Sequence, residues 1–341
     1  MRKIGVAQLK PGVALGRNLY SDDGRLLLAQ GTVIEESYLQ SMLSKGIEFV
    51  YLKDEESSTR KHRKSFSDTY AEALEAIRGF MTETKLGRPL PQDEVEETVN
   101  SLVELVFDEV DIFKQMRIMH GKDSYLFTHS VNVGLLCILI SRWLKCSKKE
   151  IKKAGLAGIF HDLGKVYISN DILLKPGKLT DEEFIEVKKH SQLGYNAITQ
   201  NEWIPDDVAN GILMHHERLD GSGYPMGVSS TGLNYLARLV AVADIYDAIT
   251  SNRVYSRKES PYAAAEILWN ESFGKLDGRI AKVFYDRVSS FYIGNRVVLS
   301  NGEVGTVVFV DPGLPTRPIV QVGEMFYDLR ERHVTITEIV D

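Results

Sequence analysis

The chain has 341 residues, of which 43% are hydrophobic and 26% are charged, so we expect two or three domains with a substantial core. The formal net charge of −6 argues against a general nucleic-acid-binding surface. The longest apolar run, residues 131–140, is too short to span a bilayer, and the N-terminus lacks the apolar segment and cleavage site of a secretory signal. We therefore expect a cytoplasmic protein that engages neither a nucleic-acid polymer nor a membrane.

Residues 1–53 are predicted to form a small N-terminal α/β domain. Residues 18–28 have the pattern of two short strands around an Asp-Gly turn, and a helix over 35–45 precedes a strand over 47–52. Asp22 and Asp23 could also serve as a phosphoacceptor or a cation pair, but the adjacent glycine favours simple turn chemistry.

Residues 54–119 are predicted to be a linker and a helical connector. The first part is charged and rich in serine, and its basic cluster at 60–64 is most simply a solvated linker. The alternative is a nucleic-acid or membrane patch, but the cluster is short and has no accompanying aromatic residues. Helical periodicity then predicts helices over 66–84 and 93–119, on either side of a proline-containing break.

Residues 120–291 are predicted to form an all-α domain. Acidic residues follow the predicted N-termini at Thr180 and Pro205, where the helix dipole favours negative charge. Periodicity predicts helices over 124–145, 148–160, 180–200, 205–216, 231–252, 261–271 and 277–291.

Residues 292–341 change to the two-residue period of strands and are predicted to form a small β-barrel or curled sheet. Asn301-Gly302 is a strong hairpin turn. Strands are predicted at 296–299, 305–310, 318–322 and 333–339. The fold class is therefore mainly α, with an all-α domain between a small α/β domain and a small β module.

Five of the eight histidines lie on or at the ends of predicted helices between residues 129 and 216, and they are His129, His161, His190, His215 and His216. A lone helical histidine is usually a surface or core residue, but five in one all-α segment favour a metal site built from facing helices. Imidazole and carboxylate ligands without thiolate suit iron, manganese, cobalt, nickel or zinc. The residue types alone leave the choice of metal open.

Charged residues accompany these histidines at helical spacing. Asp162 directly follows His161, and its two oxygens could bridge two ions about 3.5–4 Å apart, a spacing typical of binuclear hydrolases. Lys165 follows one turn later and could contact a phosphate oxygen, and the adjacent histidine–aspartate pair and glycine favour this interpretation over a surface cation near a helix end. A paired centre of this kind polarises a phosphoryl oxygen and lowers the pKa of water.

Three further residues follow in the segment 241–253. Asp244 interrupts an apolar helix rich in small residues, where a carboxylate is costly unless it is paired or bound to a metal. Asp247 lies nearly on the same face, and we expect it to pair with another side chain rather than to bind a metal. Arg253 could present its planar fork to a phosphate.

These residues together resemble a known family. His129, His161-Asp162 and Asp244 at this spacing are similar to the HD phosphohydrolase superfamily. His-Asp-Leu-Gly-Lys at 161–165, with His-His-Glu-Arg-Leu-Asp-Gly-Ser-Gly-Tyr-Pro at 215–225, resembles its HD-GYP subgroup, the bacterial cyclic di-GMP phosphodiesterases. The resemblance covers residues 120–290, about half the chain, and extends more weakly to both flanks.

The resemblance implies roles for individual residues. One metal ion would be held by His129, His161, Asp162 and Asp244, and a second by His190, His215 and His216 with Asp162 as the bridge. Asp162 and Lys165 would be catalytic, with Lys165 at the scissile phosphate. Lys165, Arg253, Gly223 and Tyr224 would contact the substrate. The family also implies two divalent ions, iron before manganese, and a Gly223-Tyr224-Pro225 loop that can engage diguanylate cyclase domains.

Two positions depart from the family pattern. Members with a third metal carry glutamate four residues before the first histidine, and Tyr125 stands there in this chain. Asp123 lies six residues before His129 and would point to another face, so a binuclear site is expected. Ser256 stands where a lysine often follows the nucleotide-binding arginine, and the neighbouring Arg257 could substitute for it.

The leading hypothesis is metal-dependent hydrolysis of cyclic di-GMP to linear pGpG, to GMP, or to both. One alternative keeps the enzyme class and changes the substrate to another cyclic dinucleotide or a nucleotide phosphate. A second alternative is a signalling module that binds cyclic di-GMP or a cyclase and turns over little. The intact ligand set disfavours the second alternative, since a pure binder needs neither seven metal ligands nor Lys165. The sequence is compatible with a homodimer and leaves the oligomeric state open.

Overall fold

The computed structural model describes residues 2–17, 19–20, 26–28, 31–44, 47, 49–52, 64–108, 112–119, 125–251 and 259–340. Several residues that carried sequence predictions lie outside these ranges: Asp22, Asp23, most of the basic cluster at 60–64, Asp123, Arg253, Ser256 and Arg257.

The N-terminal part contains the predicted mixture of helix and strands. Its elements are β1 (Arg2–Gly5), β2 (Leu19–Tyr20), β3 (Leu26–Leu28), α1 (Glu36–Ser44) and β4 (Phe49–Leu52). The sequence did not predict β1, which pairs antiparallel with β4 and places Ile4 opposite Val50. The side chains of Leu15, Ile34 and Met42 belong to a small hydrophobic core of this part of the chain.

Twelve further helices follow in the described part of the chain. They are α2 (Phe66–Lys85), α3 (Gln92–Asp108), α4 (Ile112–Met119), α5 (Tyr125–Trp143), α6 (Lys148–Phe160), α7 (Asn170–Leu173), α8 (Asp181–Lys188), α9 (His190–Ile198), α10 (Asp206–Met214), α11 (Tyr235–Thr250), α12 (Pro261–Glu271) and α13 (Gly278–Val288). Reciprocal capping boxes fix three of the starts: Ser65 with Asp68 before α2, Ser147 with Glu150 before α6, and Thr180 with Glu183 before α8.

Two predicted helices are each divided in the structure. The single helix predicted over 93–119 is α3 and α4. The helix predicted over 180–200 is α8 and α9, because the chain tightens at Lys189, whose N–H donates to the carbonyl of Glu186 three residues earlier. This break places His190 at the first position of a new helix.

Helices α5 and α6 cross with their backbones almost in contact. A Cβ atom on Gly158 would lie 2.8 Å from the Cα of Gly134, and one on Gly134 would lie 2.7 Å from a side-chain carbon of Ile159. Glycine at both positions therefore permits the close approach. The crossing brings His129 of α5 next to His161, which caps the C-terminus of α6.

Helix α5 is also the one described helix long and apolar enough to meet a length-and-composition test for a membrane span. However, 78% of its 18-residue apolar window is buried within the protein. Leu135, Leu136, Ile138 and Ile140 are fully buried, which is the environment of a core helix.

The C-terminal part is a five-stranded antiparallel sheet. Its strands are β5 (Arg296–Leu299), β6 (Val304–Phe309), β7 (Ile319–Val322), β8 (Met325–Asp328) and β9 (Ile336–Val340), in the order β8-β7-β6-β5-β9. The sequence missed β8. A closed barrel would pair β8 with β9, whereas these strands form the two edges of the described ladder. Of the two predicted forms, barrel or curled sheet, the described strands therefore form an open sheet and not a barrel.

One hydrophobic core joins the connector helices, the helical domain and the sheet. Tyr70 and Ile77 of α2 belong to the same cluster as Leu135 of α5 and Val297 and Val320 of the sheet. The mainly helical architecture is therefore confirmed, and the boundaries at residues 120 and 291 stay predictions.

Candidate metal centre

All seven residues predicted as metal ligands lie together inside the helical domain. They are His129, His161, Asp162, His190, His215, His216 and Asp244. His129 lies within α5 and Asp244 within α11, and the other five lie at the ends of three helices. His161 and His215 are the C-terminal caps of α6 and α10, and His190 begins α9. Helix ends that meet at one point thus concentrate side chains from distant parts of the sequence.

The first cluster contains two imidazoles and two carboxylates. The Nε2 atoms of His129 and His161 are 3.2 Å apart. Asp162 Oδ2 lies 3.3 Å from Nε2 of His161, and Asp244 Oδ1 lies 3.1 Å from Nε2 of His129. Both histidines and Asp162 are at most 1% exposed, so water screens these contacts little.

The second cluster consists of His190, His215 and His216. Their nearest ring nitrogens lie within 4.8 Å of one another, and the Nε2 atoms of His190 and His215 are 3.3 Å apart. Asp162 joins this cluster to the first, because its second oxygen, Oδ1, lies 3.4 Å from Nε2 of His190. One carboxylate therefore faces both groups of imidazoles.

Backbone carbonyls fix the proton on the outer nitrogen of three imidazoles. Nδ1 of His161, His190 and His215 lies 2.8, 2.6 and 2.6 Å from a carbonyl oxygen three residues earlier in each case. A carbonyl only accepts, so each Nδ1 must donate its proton. The Nε2 lone pairs consequently point into the clusters, as metal ligation requires.

This arrangement fits divalent metal ions. The Nε2 lone pairs of His190 and His215, 3.3 Å apart, would repel each other without a cation between them. Asp162 Oδ1 is buried and accepts no hydrogen bond within the described residues, a costly state for a carboxylate oxygen that metal coordination would relieve. Nitrogen and oxygen donors without sulfur are consistent with the metals expected from the sequence.

The electrostatics differ between the clusters. Burial lowers the pKa of His190 to about 4 and that of His216 to about 3, and burial together with the neighbouring His216 lowers the pKa of His215 as well. These three imidazoles are therefore neutral at pH 7, the form that binds metal. Burial alone would also lower the pKa of His129, but hydrogen bonds to Asp244 and Asp247 outweigh it and raise the pKa to about 9. A cation at Nε2 would replace that proton.

The two carboxylates remain ionised. Burial alone would raise the pKa of Asp162, but the charges of His161 and Lys165 bring it well below its ordinary value. The hydrogen bond and charge of His129 likewise outweigh burial and lower the pKa of Asp244. The centre thus presents negative oxygens, and its second cluster presents neutral nitrogens, which is the donor state that a divalent ion binds.

Lys165 lies beside this centre, as its spacing predicted. It belongs to the 3₁₀ segment Leu163–Tyr167, and its Nζ lies 2.6 Å from Asp162 Oδ2. The side chain is 22% exposed, so it can reach incoming substrate. Tyr125 also lies at the site and stacks its ring on that of His129, with centroids 5.2 Å apart and planes 14° apart.

The loop after His216 returns to the same centre. Tyr224 stacks on His216 with ring centroids 4.6 Å apart. Gly223 packs so tightly that a Cβ atom there would lie 2.4 Å from the Cα of Glu217. The buried Glu217 carboxylate accepts hydrogen bonds from the backbone N–H groups of Met226, Gly227 and Val228 at 2.7, 3.0 and 3.2 Å.

No role was predicted from the sequence for two residues that position other groups, Glu217 and Asn132. Glu217 lies within the motif at 215–225, yet spacing alone could not show that it binds the loop backbone. Asn132 interrupts the apolar run of α5, and a buried amide there is the signal that could have identified it. Its Nδ2 donates to Asp247 Oδ1 at 2.8 Å, and its Oδ1 accepts from Tyr70 at 2.7 Å. Arg253, the remaining predicted site residue, lies outside the described residues.

Comparison with known proteins agrees with this geometry. Residues 114–280 match the sequence model of the HD domain family. The chain is 32% identical over 274 residues to the cyclic di-GMP phosphodiesterase PA4108 of Pseudomonas aeruginosa, a match that covers 79% of this chain and 64% of that protein. It is 31% identical over 183 residues to the 3'3'-cGAMP-specific phosphodiesterase 1 of Vibrio cholerae, covering 51% of this chain and 41% of that protein. The chain thus spans less than two thirds of the length of either relative.

The fold also has a solved counterpart. Bd1817, an HDG"Y"P protein from Bdellovibrio bacteriovorus, superimposes with a TM-score of 0.55 at 17% identity, over 84% of this chain and 98% of that one. This likeness concerns the fold. The match to the family model and the clustered histidines and aspartates lead to one conclusion: residues 114–280 of this chain belong to the HD domain family.

Proposed function

We propose that this protein is a metal-dependent phosphodiesterase of the HD-GYP subgroup that hydrolyses cyclic di-GMP, to pGpG, to GMP or to both. The observation that carries the proposal is the position of Asp162, whose two oxygens face two separate groups of imidazoles. A carboxylate placed in this way can bridge two ions, and paired ions are suited to phosphodiester hydrolysis. The named activity of the relative from Pseudomonas aeruginosa supports the choice of substrate.

Two divalent ions would be held by the two clusters. The first would be held by His129, His161, Asp162 and Asp244, and the second by Asp162, His190, His215 and His216. Such ions polarise a phosphoryl oxygen and lower the pKa of water, so hydroxide becomes available near neutral pH. We keep iron as the first expectation and manganese as the second, from the resemblance to the subgroup.

The protein's own residues would bind and orient the substrate. Lys165 would exchange its contact with Asp162 for a phosphate oxygen and so balance negative charge at the scissile phosphate. Asp162, whose pKa is held low, would stay ionised when that lysine moves, because its contact with His161 remains. Tyr224 and Gly223 would form the wall of the site on the side of His216.

In a second candidate function the reaction is the same and one nucleobase of the substrate differs. The similarity to a 3'3'-cGAMP-specific phosphodiesterase makes another cyclic dinucleotide the alternative substrate. A binding module of low turnover fits less well, because seven converging ligands and Lys165 are unnecessary for binding alone. The proposal also includes a cytoplasmic location, homodimerisation, and engagement of diguanylate cyclase domains by the Gly223-Tyr224-Pro225 loop.

The test is metal analysis with turnover of cyclic di-GMP and 3'3'-cGAMP by the metal-loaded protein. Asp162→Ala, which removes the bridge, is expected to lower turnover by at least about a thousandfold, as the loss of a group that acts on the reacting phosphate does. Asp286→Ala, which removes an exposed ion pair with Lys282, is the matched control and should retain activity. If metal-loaded protein binds cyclic di-GMP and cleaves neither dinucleotide, the enzymatic proposal is wrong.

A further inference from the structure

Lys188, the last residue of α8, differs from three other lysines in residues 165–189. Lys165, Lys175 and Lys189 each form a salt bridge, with Asp162, Glu183 and Glu186 respectively. Within the described residues the ammonium of Lys188 instead lies over two aromatic rings, 4.6 Å from the centroid of Phe184 and 5.5 Å from that of Tyr224. Its positive charge is therefore not neutralised by a described carboxylate.

The position of Lys188 is fixed with respect to the metal centre. Tyr224 stacks on His216 at 4.6 Å and meets the ring of His190 edge-on at 6.4 Å. The three backbone hydrogen bonds to Glu217 hold the loop that carries Tyr224. Lys188 also precedes His190 by only two residues. A half-buried cation thus lies one aromatic ring away from the second histidine cluster.

The chemistry of a cyclic dinucleotide calls for a second cation at such a place. Its ring contains two phosphodiesters, each with one negative charge, and hydrolysis acts on one at a time. While the scissile phosphate contacts the metal centre and Lys165, the other phosphate lies across a ribose and keeps its own charge. A lysine that already has a carboxylate partner would bind it less well, since that partner must first be displaced.

We propose that Lys188 binds the second, non-scissile phosphate of a cyclic dinucleotide and thereby selects substrates with two phosphates. This inference rests on the proposed function and adds a specificity residue to it. Lysine suits the task as a compact point charge on a flexible stem, and its contacts with the two rings restrict where that charge lies. Lys188 binds in this scheme and takes no part in bond breaking.

The experiment compares a substrate that has two phosphates with one that has a single phosphate. Lys188→Met keeps an apolar stem against the rings and removes the charge. We expect KM for cyclic di-GMP to rise about tenfold, the loss of one charge-assisted hydrogen bond, with kcat within about twofold. The KM for bis(p-nitrophenyl) phosphate, a diester with one phosphate, should change several-fold less. Lys188→Arg should restore most of the affinity for cyclic di-GMP.

Lys189→Met is the control, because Lys189 is adjacent, exposed and paired with Glu186. An unchanged KM for cyclic di-GMP in Lys188→Met, or an equal rise for both substrates, overturns the inference and leaves the proposed function standing. Calorimetric binding of cyclic di-GMP gives an arm that is independent of turnover, and there an unchanged Kd in Lys188→Met also overturns the inference. A wild-type protein that neither binds nor cleaves cyclic di-GMP overturns the proposed function together with it.

Discussion

His129 Nδ1 and Asp247 Oδ2 form a buried hydrogen bond of 2.7 Å behind the first cluster. Both side chains are about 1% exposed, and the second oxygen of Asp247 accepts from Asn132. A carboxylate on the outer nitrogen of an imidazole fixes the orientation of the ring and makes its inner nitrogen a stronger ligand. The expectation that Asp247 pairs with another side chain and leaves ligation to Asp244 agrees with this contact.

The first prediction therefore concerns Asp247→Asn. The amide keeps the shape of the side chain but removes the charge that holds the His129 proton at Nδ1. Metal affinity should fall about 10- to 100-fold, the usual cost of losing an outer partner of a ligand. Competition with a chelator during metal titration measures this change, and Asp286→Asn serves as the surface control. Equal affinity in wild type and Asp247→Asn would contradict a positioning role.

A second prediction concerns Glu217 as the anchor of the loop that carries Tyr224. One carboxylate accepts three backbone N–H groups, and no single neutral side chain offers oxygen to all three. Glu217→Gln leaves one of those donors facing an NH₂ group. We expect KM for cyclic di-GMP to rise about three- to tenfold, the loss of one or two hydrogen bonds, with metal content unchanged.

A double-mutant cycle separates positioning from general destabilisation. If Glu217 acts by holding Tyr224 against His216, then Glu217→Gln should have little further effect on KM in a Tyr224→Ala background. Full additivity of the two effects would show that Glu217 acts elsewhere. Glu202→Gln, on the exposed surface after α9, provides a glutamate control.

Local sequence signals predicted most of the helices, and their failures have a physical cause. Helix α6 has the bounds that periodicity predicted, 148–160, and its start is fixed by a local signal, the capping box of Ser147 and Glu150. The break between α8 and α9 has no such signal. It coincides with tertiary contact, since Gly164 packs directly against the backbone of His190 and Gly194. Contacts between segments distant in sequence cannot be seen in the periodicity of either segment.

The same distinction between local signals and long-range contacts applies to the metal centre. Candidate ligands could be identified because buried acids and helix-end histidines are unusual in an apolar sequence. Their grouping into two clusters joined by Asp162 was only implied by family resemblance, and the distances now support it. Glu217 binds the backbone of a loop, and Lys188 lies over the ring of Tyr224. The fold brings both partners near. No spacing rule within their own helices or loops could have indicated these contacts.

A third prediction concerns the number of metal ions. Tyr125 occupies the position one turn before His129 and covers its ring, and a phenol there does not replace a carboxylate ligand. Elemental analysis of the loaded protein should therefore give two ions per chain. Tyr125→Glu is expected to raise the content towards three, while Tyr125→Gln, of similar size and uncharged, should leave it at two. Three ions in the wild-type protein would contradict the argument from Tyr125.

The last prediction uses two glycines with opposite environments. A Cβ atom on Gly164 would lie 1.9 Å from the carbonyl oxygen of His190, whereas Gly79, exposed within α2, has open space around it. Gly164→Ala should destabilise the protein by about 3 kcal/mol, because backbone on both sides of the overlap cannot yield as a side chain could. Gly79→Ala should stabilise it by about 0.5–1 kcal/mol through helix propensity.

Denaturant midpoints and metal content measured together make this test specific. The overlap at Gly164 would separate the 3₁₀ segment that carries Lys165 from the start of α9, which carries His190. Gly164→Ala should therefore lose metal at the second cluster even under conditions where the protein remains folded. If it retained wild-type metal affinity, the close packing of these two segments would not be what positions His190.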